Sequence, residues 1–383
     1  MNRFARFVVG GAALFALTAS GRAMELPAFP VLVPLTGALA LEGQSQRNGA
    51  VLALEDFARQ RKDSRIRDEV LDTGSNPQTA VQAFERAFGR VRAMEGAKPR
   101  ALMGPIDGNS MLALLPLAER EQVALLAVSG TARLTELGNK YIFRFFPSDV
   151  VVKAAQARYI VETLGRRKIA LVHQNTAYGQ SGNEELTRWF ERLGASVVYR
   201  NSLPVTTKEL AGVIAQVRDS GADVVALQLH SGSSALFVGQ AARAGLNLPI
   251  VAGSALHQPS TAALLEPSEL KGVCAETASA PAADDRPALA EFARRYRERF
   301  KSEPDAFALA AYDAVRAALS VWFDAKPIHI SLAAGPIPGL AMPYATDGKG
   351  NMAHDAIIVC YDGSGRTPRI AKRYSRPHEA ARP

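Results

Sequence analysis

The stretch KIALVHQNTAYGQSGNEELTRWFERLG, residues 168–194, contains the fold in miniature. It opens with four consecutive apolar residues, Ile169 to Val172. A continuous apolar run of strand length fits a strand buried on both faces of a sheet. A polar loop follows. From Gly182 the apolar residues Leu186, Trp189, Phe190 and Leu193 fall three or four apart, on one side of a helix that stops at Gly194. Strand, short loop, helix is the repeating unit of a parallel sheet.

The unit recurs on both sides of this stretch. Downstream come ASVVYRN, a helix to Ser220, DVVALQLH, a helix to Gly245 and LPIVAG. Upstream, VVKAAQARYIVETLG reads as a helix closed by Gly165. Nearer the N-terminus the strands are FPVLVPLTG, RIRDEVLDTG, RALMGP and VALLAVSG, with helices between them. One of these starts at Ser75 and Pro77 and carries Val81, Phe84, Phe88 and Val91 on one face. PALAEFARRYRERF and DAFALAAYDAVRAALSVWF are late helices. The alternation restarts after YIFRFFPSD, which predicts an α/β chain of two doubly wound halves. In such sheets ligands sit beyond the carboxyl ends of the strands. That directs attention to loops 34–43, 104–110, 129–135, 175–182, 230–234 and 253–258.

At 48% hydrophobic and 21% charged residues, the chain is neither disordered, collagenous nor coiled coil. Its 383 residues suit two domains. The net charge of +8 sits at the ends: residues 1–23 carry three arginines and no acid, and residues 366–383 carry six basic residues and one acid. Residues 24–365 are left without net charge, so a nucleic-acid-binding face is not expected. The cationic start MNRFAR, the apolar run FVVGGAALFALTA and the small residues before Ala23 have the layout of a secretory signal peptide. The run is shorter than the roughly 20 residues that span a bilayer. Residues 1–23 are therefore read as a signal peptide, and the mature chain as extracytoplasmic. The tail 366–383 is expected to fray.

Cys274 and Cys360 are the only cysteines, each in an apolar, strand-like run. An oxidising compartment permits a bond between them. They read either as neighbours on adjoining strands or as two separate buried thiols. No His or Cys spacing supports a metal site, and none is expected; no cofactor is expected either. Asp72-Thr-Gly-Ser75 matches the tetrad of aspartic proteases, but the second Asp those enzymes need is missing. There is no phosphate-binding GxxxxGK and no GxSxG elbow. His230-Ser231 sits on one loop and does not make a nucleophile–base pair. The chain is not expected to be an enzyme.

Seven short motifs in order carry a family likeness. They are Pro34-Leu-Thr-Gly37 with Gly43 and Gly49; Asp72 with Pro77; Gly104-Pro105 with Ser110; Val128-Ser-Gly-Thr131; Tyr141-Ile-Phe-Arg144 with Pro147-Ser-Asp149; Asn175-Thr-Ala-Tyr178-Gly179; and Ala311-Tyr-Asp-Ala314. Together they resemble the periplasmic substrate-binding proteins of ATP-binding-cassette importers, in the branched-chain amino acid (Leu/Ile/Val) group. The resemblance implies a type I periplasmic-binding-protein fold, with two doubly wound parallel-sheet lobes joined by a three-stranded hinge. Lobe 1 would be residues 24–143 plus 278–340, and lobe 2 residues 144–277 plus 341–365. It implies a periplasmic monomer that captures a small carboxylate-bearing ligand (amino acid, amide, or aromatic or aliphatic acid) between the lobes and delivers it to a membrane permease. A sensor of the same fold that signals to a membrane receptor is the alternative.

Carried over by motif, Ser129 and Thr131 would hold the ligand carboxylate, and Tyr178 would close over it from the second lobe. Ser110, His230 and Ser254 fall on the neighbouring strand-end loops. The resemblance also implies an acid for the ligand ammonium in the stretch Ala252–His257, where this chain has none. Asp107 is the substitute the sequence offers. Without it, an amine-free acid fits as well as an amino acid.

Overall fold

Two sheets, one wholly parallel and one parallel except at its last two strands, with central strands buried on both faces, organise the chain in this computed structural model, which describes residues 24–25, 28–61, 64–95 and 98–379. A short parallel pair, β1 (Met24–Glu25) with β3 (Ser64–Arg65), stands apart from both. The first sheet contains β2 (Phe29–Val33), β4 (Asp68–Asp72), β5 (Ala101–Met103), β6 (Ala124–Ala127) and β7 (Ile142–Arg144), in the order β4-β2-β5-β6-β7. All its pairings are parallel. Successive side chains point to opposite faces, so each strand feeds two cores. Val31, Met103 and Leu126 pack with α1 (Ala40–Gln60), whereas Leu32, Leu102 and Leu125 pack with α2 (Pro77–Glu95) and α3 (Gly108–Glu121).

After β7 the chain crosses into the second lobe at α4 (Asp149–Arg158). There β8 (Lys168–Gln174), α5 (Ala177–Arg192), β9 (Ser196–Leu203), α6 (Ala211–Asp219), β10 (Val224–Gln228), α7 (Ser231–Arg243), β11 (Ile250–Ala252), α8 (Pro259–Ala262) and β12 (Val273–Thr277) repeat the winding. Leu186, Trp189 and Phe190 of α5 are buried and Leu193 is partly so, as the 168–194 stretch predicts. From β12 the chain returns to the first lobe. Helices α9 (Pro287–Phe300), α10 (Ala306–Ser320) and α11 (Ile328–Ala333) all contribute to the first lobe's core. A Cβ on Gly49 of α1 would run into the Ala308 carbonyl of α10, so glycine permits that close crossing.

The third crossing leads to β13 (Ala356–Cys360) and β14 (Arg369–Tyr374), which complete a seven-stranded sheet of order β14-β13-β12-β11-β10-β8-β9. The first and third crossings touch: the Arg144 amide donates to the Gly350 carbonyl, and the Met352 amide to the Arg144 carbonyl. Two expectations change here, and the pairing of the cysteines, left open by the sequence, is decided. Met342, Tyr344, Met352 and Ala353 pack in the first lobe's core, so most of 341–353 goes with that lobe rather than the second. The basic tail does not simply fray, because residues 369–374 form an ordered edge strand. Arg369 and Arg373 are exposed, Lys372 is half-buried over the ring of the buried Tyr374, and Arg373 pairs with Asp284. The cysteines are neighbours: Cys274 and Cys360 are directly opposed on β12 and β13 and form a disulfide. The signal-peptide reading falls on residues 1–23, outside the described residues. Among the described residues no helix is long and apolar enough to cross a membrane.

Candidate functional site

The carboxyl ends of both sheets face one cleft between the lobes. A cavity of about 400 Å³ lies there, open solvent at its mouth included. The first lobe supplies Leu39, Glu42, Ile106, Val128, Ser129, Gly130, Phe146 and Phe307; the second supplies Asp149, Tyr178, His230, Ser254 and Ala255. The walls are therefore mostly apolar, with a few polar groups at fixed points, as small-molecule sites are built.

One pole is the loop after β6. Arg144, fully buried at the end of β7, donates from Nη1 to the carbonyls of Ser129 (3.4 Å), Gly130 (3.2 Å) and Thr131 (2.6 Å). Its Nη2 donates to Thr135 Oγ1 at 2.6 Å. Burial lowers the guanidinium pKa to about 10, so it stays charged at neutral pH. With three successive carbonyls held on one side, no described residue accepts a hydrogen bond from the amides of Ser129, Gly130 or Thr131. Successive free amides with a cation behind them make a concavity suited to an anion.

The second pole, beside the first, is Asp149, the first residue of α4. Its own amide donates to the Gly130 carbonyl at 2.7 Å, which brings its carboxylate over that loop. The residue is 1% exposed, and neither carboxylate oxygen meets a donor at hydrogen-bonding geometry. Burial raises its pKa, and the nearby Lys153 ammonium works against that rise. The Ser181 hydroxyl stands close enough to ease ionisation without completing that bond. Lys153, one turn further along α4, is ion-paired with Glu276 of β12, and both side chains are fully buried. Glu276 also accepts from the Ser254 amide at 3.0 Å and the Ser254 hydroxyl at 2.8 Å.

Tyr178 sits in the first turn of α5, with its ring 5.2 Å from that of His230. Its hydroxyl is buried and unpartnered, as is Gln228 Oε1. Burial pushes its pKa well above the usual value, so the phenol is neutral. A Cβ on Gly253 would stand 2.5 Å from Tyr178 Oη and 2.8 Å from Gln228 Oε1, so glycine makes room for both. His230 is buried, which lowers its pKa and keeps it neutral; its Nε2 lies 3.1 Å from Thr176 Oγ1.

Of the residues singled out from sequence, Ser129, Tyr178, His230 and Ser254 reach the cavity wall. Thr131, Asp107 and Ser110 are buried but are not among the lining residues. Thr131 Oγ1 accepts from Ser129 Oγ and lies against Gly108. Asp107 caps α3, accepting from the amides of Asn109 and Ser110 and from the Ser110 hydroxyl. Its carboxylate is thereby engaged, and so is Ser110's hydroxyl. The acids at the cavity are Glu42 and Asp149, neither of which was singled out as a ligand contact. Lys153 and Glu276 beneath them were also missed. Their signal was a lone charge inside an otherwise apolar segment, VVVKAAQA and VCAET. Asp72 of the protease-like tetrad ties down the loop after β2. Burial opposes its ionisation, but hydrogen bonds from Thr36 and the amides of Leu35, Thr36 and Gly74 hold its pKa low.

The lobes are in contact across the cleft. Glu42 Oε1 accepts from the Ser231 amide (2.9 Å), Asn109 Oδ1 from the Ala177 amide (2.8 Å), and Ser181 Oγ from the Ala132 amide (2.9 Å). Two of these place first-lobe side chains on the N-termini of second-lobe helices α7 and α5, where backbone donors are free.

Known proteins resemble this chain in sequence and fold. The chain is 27% identical over 327 residues to Leu/Ile/Val-binding protein homolog 8 of Brucella suis biovar 1 (strain 1330), across 79% of this chain and 77% of that protein. Its fold is similar to that of a branched-chain amino acid transporter substrate binding protein from Streptococcus pneumoniae in complex with isoleucine (TM-score 0.80, 18% identity, 90% of this chain and 99% of that one). It is equally similar to an R. palustris ABC transporter solute binding protein in complex with benzoate (TM-score 0.80, 17% identity, 91% and 96%). These relatives are binding proteins rather than enzymes. Residues 28–329, which run through both lobes and past the cleft, match the periplasmic binding protein family. By that match and by its two thrice-crossed parallel-sheet lobes, the chain belongs to the periplasmic binding protein family and has its type I fold.

Proposed function

We propose that this solute-binding protein works outside the cytoplasm, where residues 1–23 direct its export, and captures an α-amino acid for a membrane permease. The observation that carries this reading is a pair of adjacent poles, free amides with an unpartnered carboxylate beside them. The ligand carboxylate meets the free amides at Ser129–Thr131, and the ligand ammonium meets the unpartnered Asp149 carboxylate. A buried acid without a donor is costly, and an ammonium relieves that cost. The Tyr178 hydroxyl is a further contact from the second lobe. Closure of the lobes over the ligand shifts the open–closed balance, and the closed form is what a permease would recognise. No covalent step is required. The relatives' ligands, isoleucine and benzoate, frame the choice, and Asp149 favours the ligand that has an amine.

Thermal unfolding against a panel of α-amino acids, their deaminated acids and their decarboxylated amines tests this. At about 100 times its dissociation constant a ligand adds about 2.7 kcal/mol, enough to raise the midpoint by a few degrees. Only intact amino acids are expected to do so, and Asp149→Asn is expected to abolish the shift. A shift from deaminated acids alone would refute the reading.

A further inference from the structure

Glu42 is a cavity-lining acid to which an ordinary apolar amino acid brings no matching charge. It sits in the first turn of α1, is 2% exposed, and lines the cavity. Oε1 accepts the Ser231 amide, but Oε2 has no partner. Among the described residues Glu42 has no ion pair, and no Lys or Arg lies in the cavity wall. The other charges are matched: Lys153 is bound to Glu276, Arg144 lies in the field of Asp149, and Asp107 is spent on the N-terminus of α3. Filling the Asp149 pole with an ammonium and the amide pole with a carboxylate adds no net charge, so the excess negative charge at Glu42 remains.

We infer that Glu42 binds a second nitrogen cation, so that the solute is a basic amino acid of the ornithine and lysine type, with its side-chain ammonium on Glu42 Oε2. This rests on the amino-acid reading above. Apolar walls from Leu39, Phe146 and Phe307 suit the methylene stem between the two ammonium groups. The same carboxylate already joins the lobes through Ser231, so a cation there binds at a contact that exists only when the cleft is closed.

Titration calorimetry on the full mature chain, freed of carried-over ligand by unfolding and refolding, tests the inference with lysine, ornithine, glutamine, norleucine and benzoate. Lysine or ornithine is expected to bind about a hundredfold more tightly than norleucine. Glu42→Gln, whose carbonyl still accepts the Ser231 amide, is expected to remove most of that difference. If norleucine binds as well as lysine, or if glutamine matches lysine and Glu42→Gln changes neither, the inference is overturned while the amino-acid reading stands. If benzoate binds and no α-amino acid does, both fall. Should Glu42→Gln not fold, the wild-type ranking of lysine against norleucine decides alone.

Discussion

Replacing Lys153 with Met separates the energetics of the buried ion pair from those of the cleft above it. Both side chains of the Lys153–Glu276 pair are fully buried, so solvent does not screen them. Removing one partner of such a pair costs about 3–5 kcal/mol, because the other charge is left uncompensated. Glu276 would keep two donors, the amide and hydroxyl of Ser254, which places the cost near the low end, about 3 kcal/mol. For a lobe of roughly 150–250 residues that corresponds to a fall in Tm of about 6–12 °C. The double change Lys153→Met with Glu276→Gln removes both charges at similar volume and is expected to recover all but about 1 kcal/mol. Binding is expected to behave differently. Lys153 is the chief charge favouring ionisation of Asp149 against its burial, and neither variant keeps it. The double variant should therefore regain its melting temperature and still bind an amino acid weakly. Calorimetric melting and titration of the three proteins measure both quantities. A single variant that melts within about 2 °C of wild type, or a double variant no more stable than the single, would refute the reasoning.

Gly253→Ala is expected to weaken ligand binding at least tenfold, roughly 1.4 kcal/mol or more, while Tm changes little. Its Cβ would displace the Tyr178 hydroxyl and Gln228; titration with unchanged affinity would remove Tyr178 from the site. Replacing both Cys274 and Cys360 with Ser opens a link 86 residues apart in sequence and is expected to cost about 4 kcal/mol, read from urea unfolding. An unchanged midpoint would show that the pair does not constrain the chain. Asp305 caps α10, and burial raises its pKa from 3.8 to about 6. Because the folded value is the higher one, its contribution to stability is greatest below pH 4 and is lost as pH rises towards 6. Asp305→Asn keeps a capping oxygen and is expected to be missing a decline of about 3 kcal/mol over that interval. Parallel stability profiles for the two proteins would contradict the assigned shift.

Strand and helix order was legible because it is local. Apolar runs such as Ile169–Val172 and the three-to-four spacing of Leu186, Trp189 and Phe190 depend only on near neighbours in the chain. The edge strand Arg369–Tyr374 was not legible, since three of its six residues are Arg or Lys and its pattern reads like a charged tail until β13 pairs with it. Part of the cleft followed from motifs: Ser129, His230 and Ser254 sit on strand-end loops and Tyr178 in the helix turn that follows one, and the parallel topology turns these ends toward one cleft.

The amino-acid sequence by itself determined the two α/β halves, the absence of a nucleotide-binding loop, and the loops that line the site, because each follows from local pattern and from the rule that places ligands at strand ends. It did not determine which acids face the cavity. Glu42 and Asp149 lie 107 positions apart, and each reads as an ordinary helix residue on its own. Only closure of the lobes, with Arg144 holding the Ser129–Thr131 carbonyls and Ser231 meeting Glu42, buries those carboxylates with oxygens that no donor reaches. Burial without a partner is a property of the assembled cleft, and it is this that makes them sites for a ligand's positive charge.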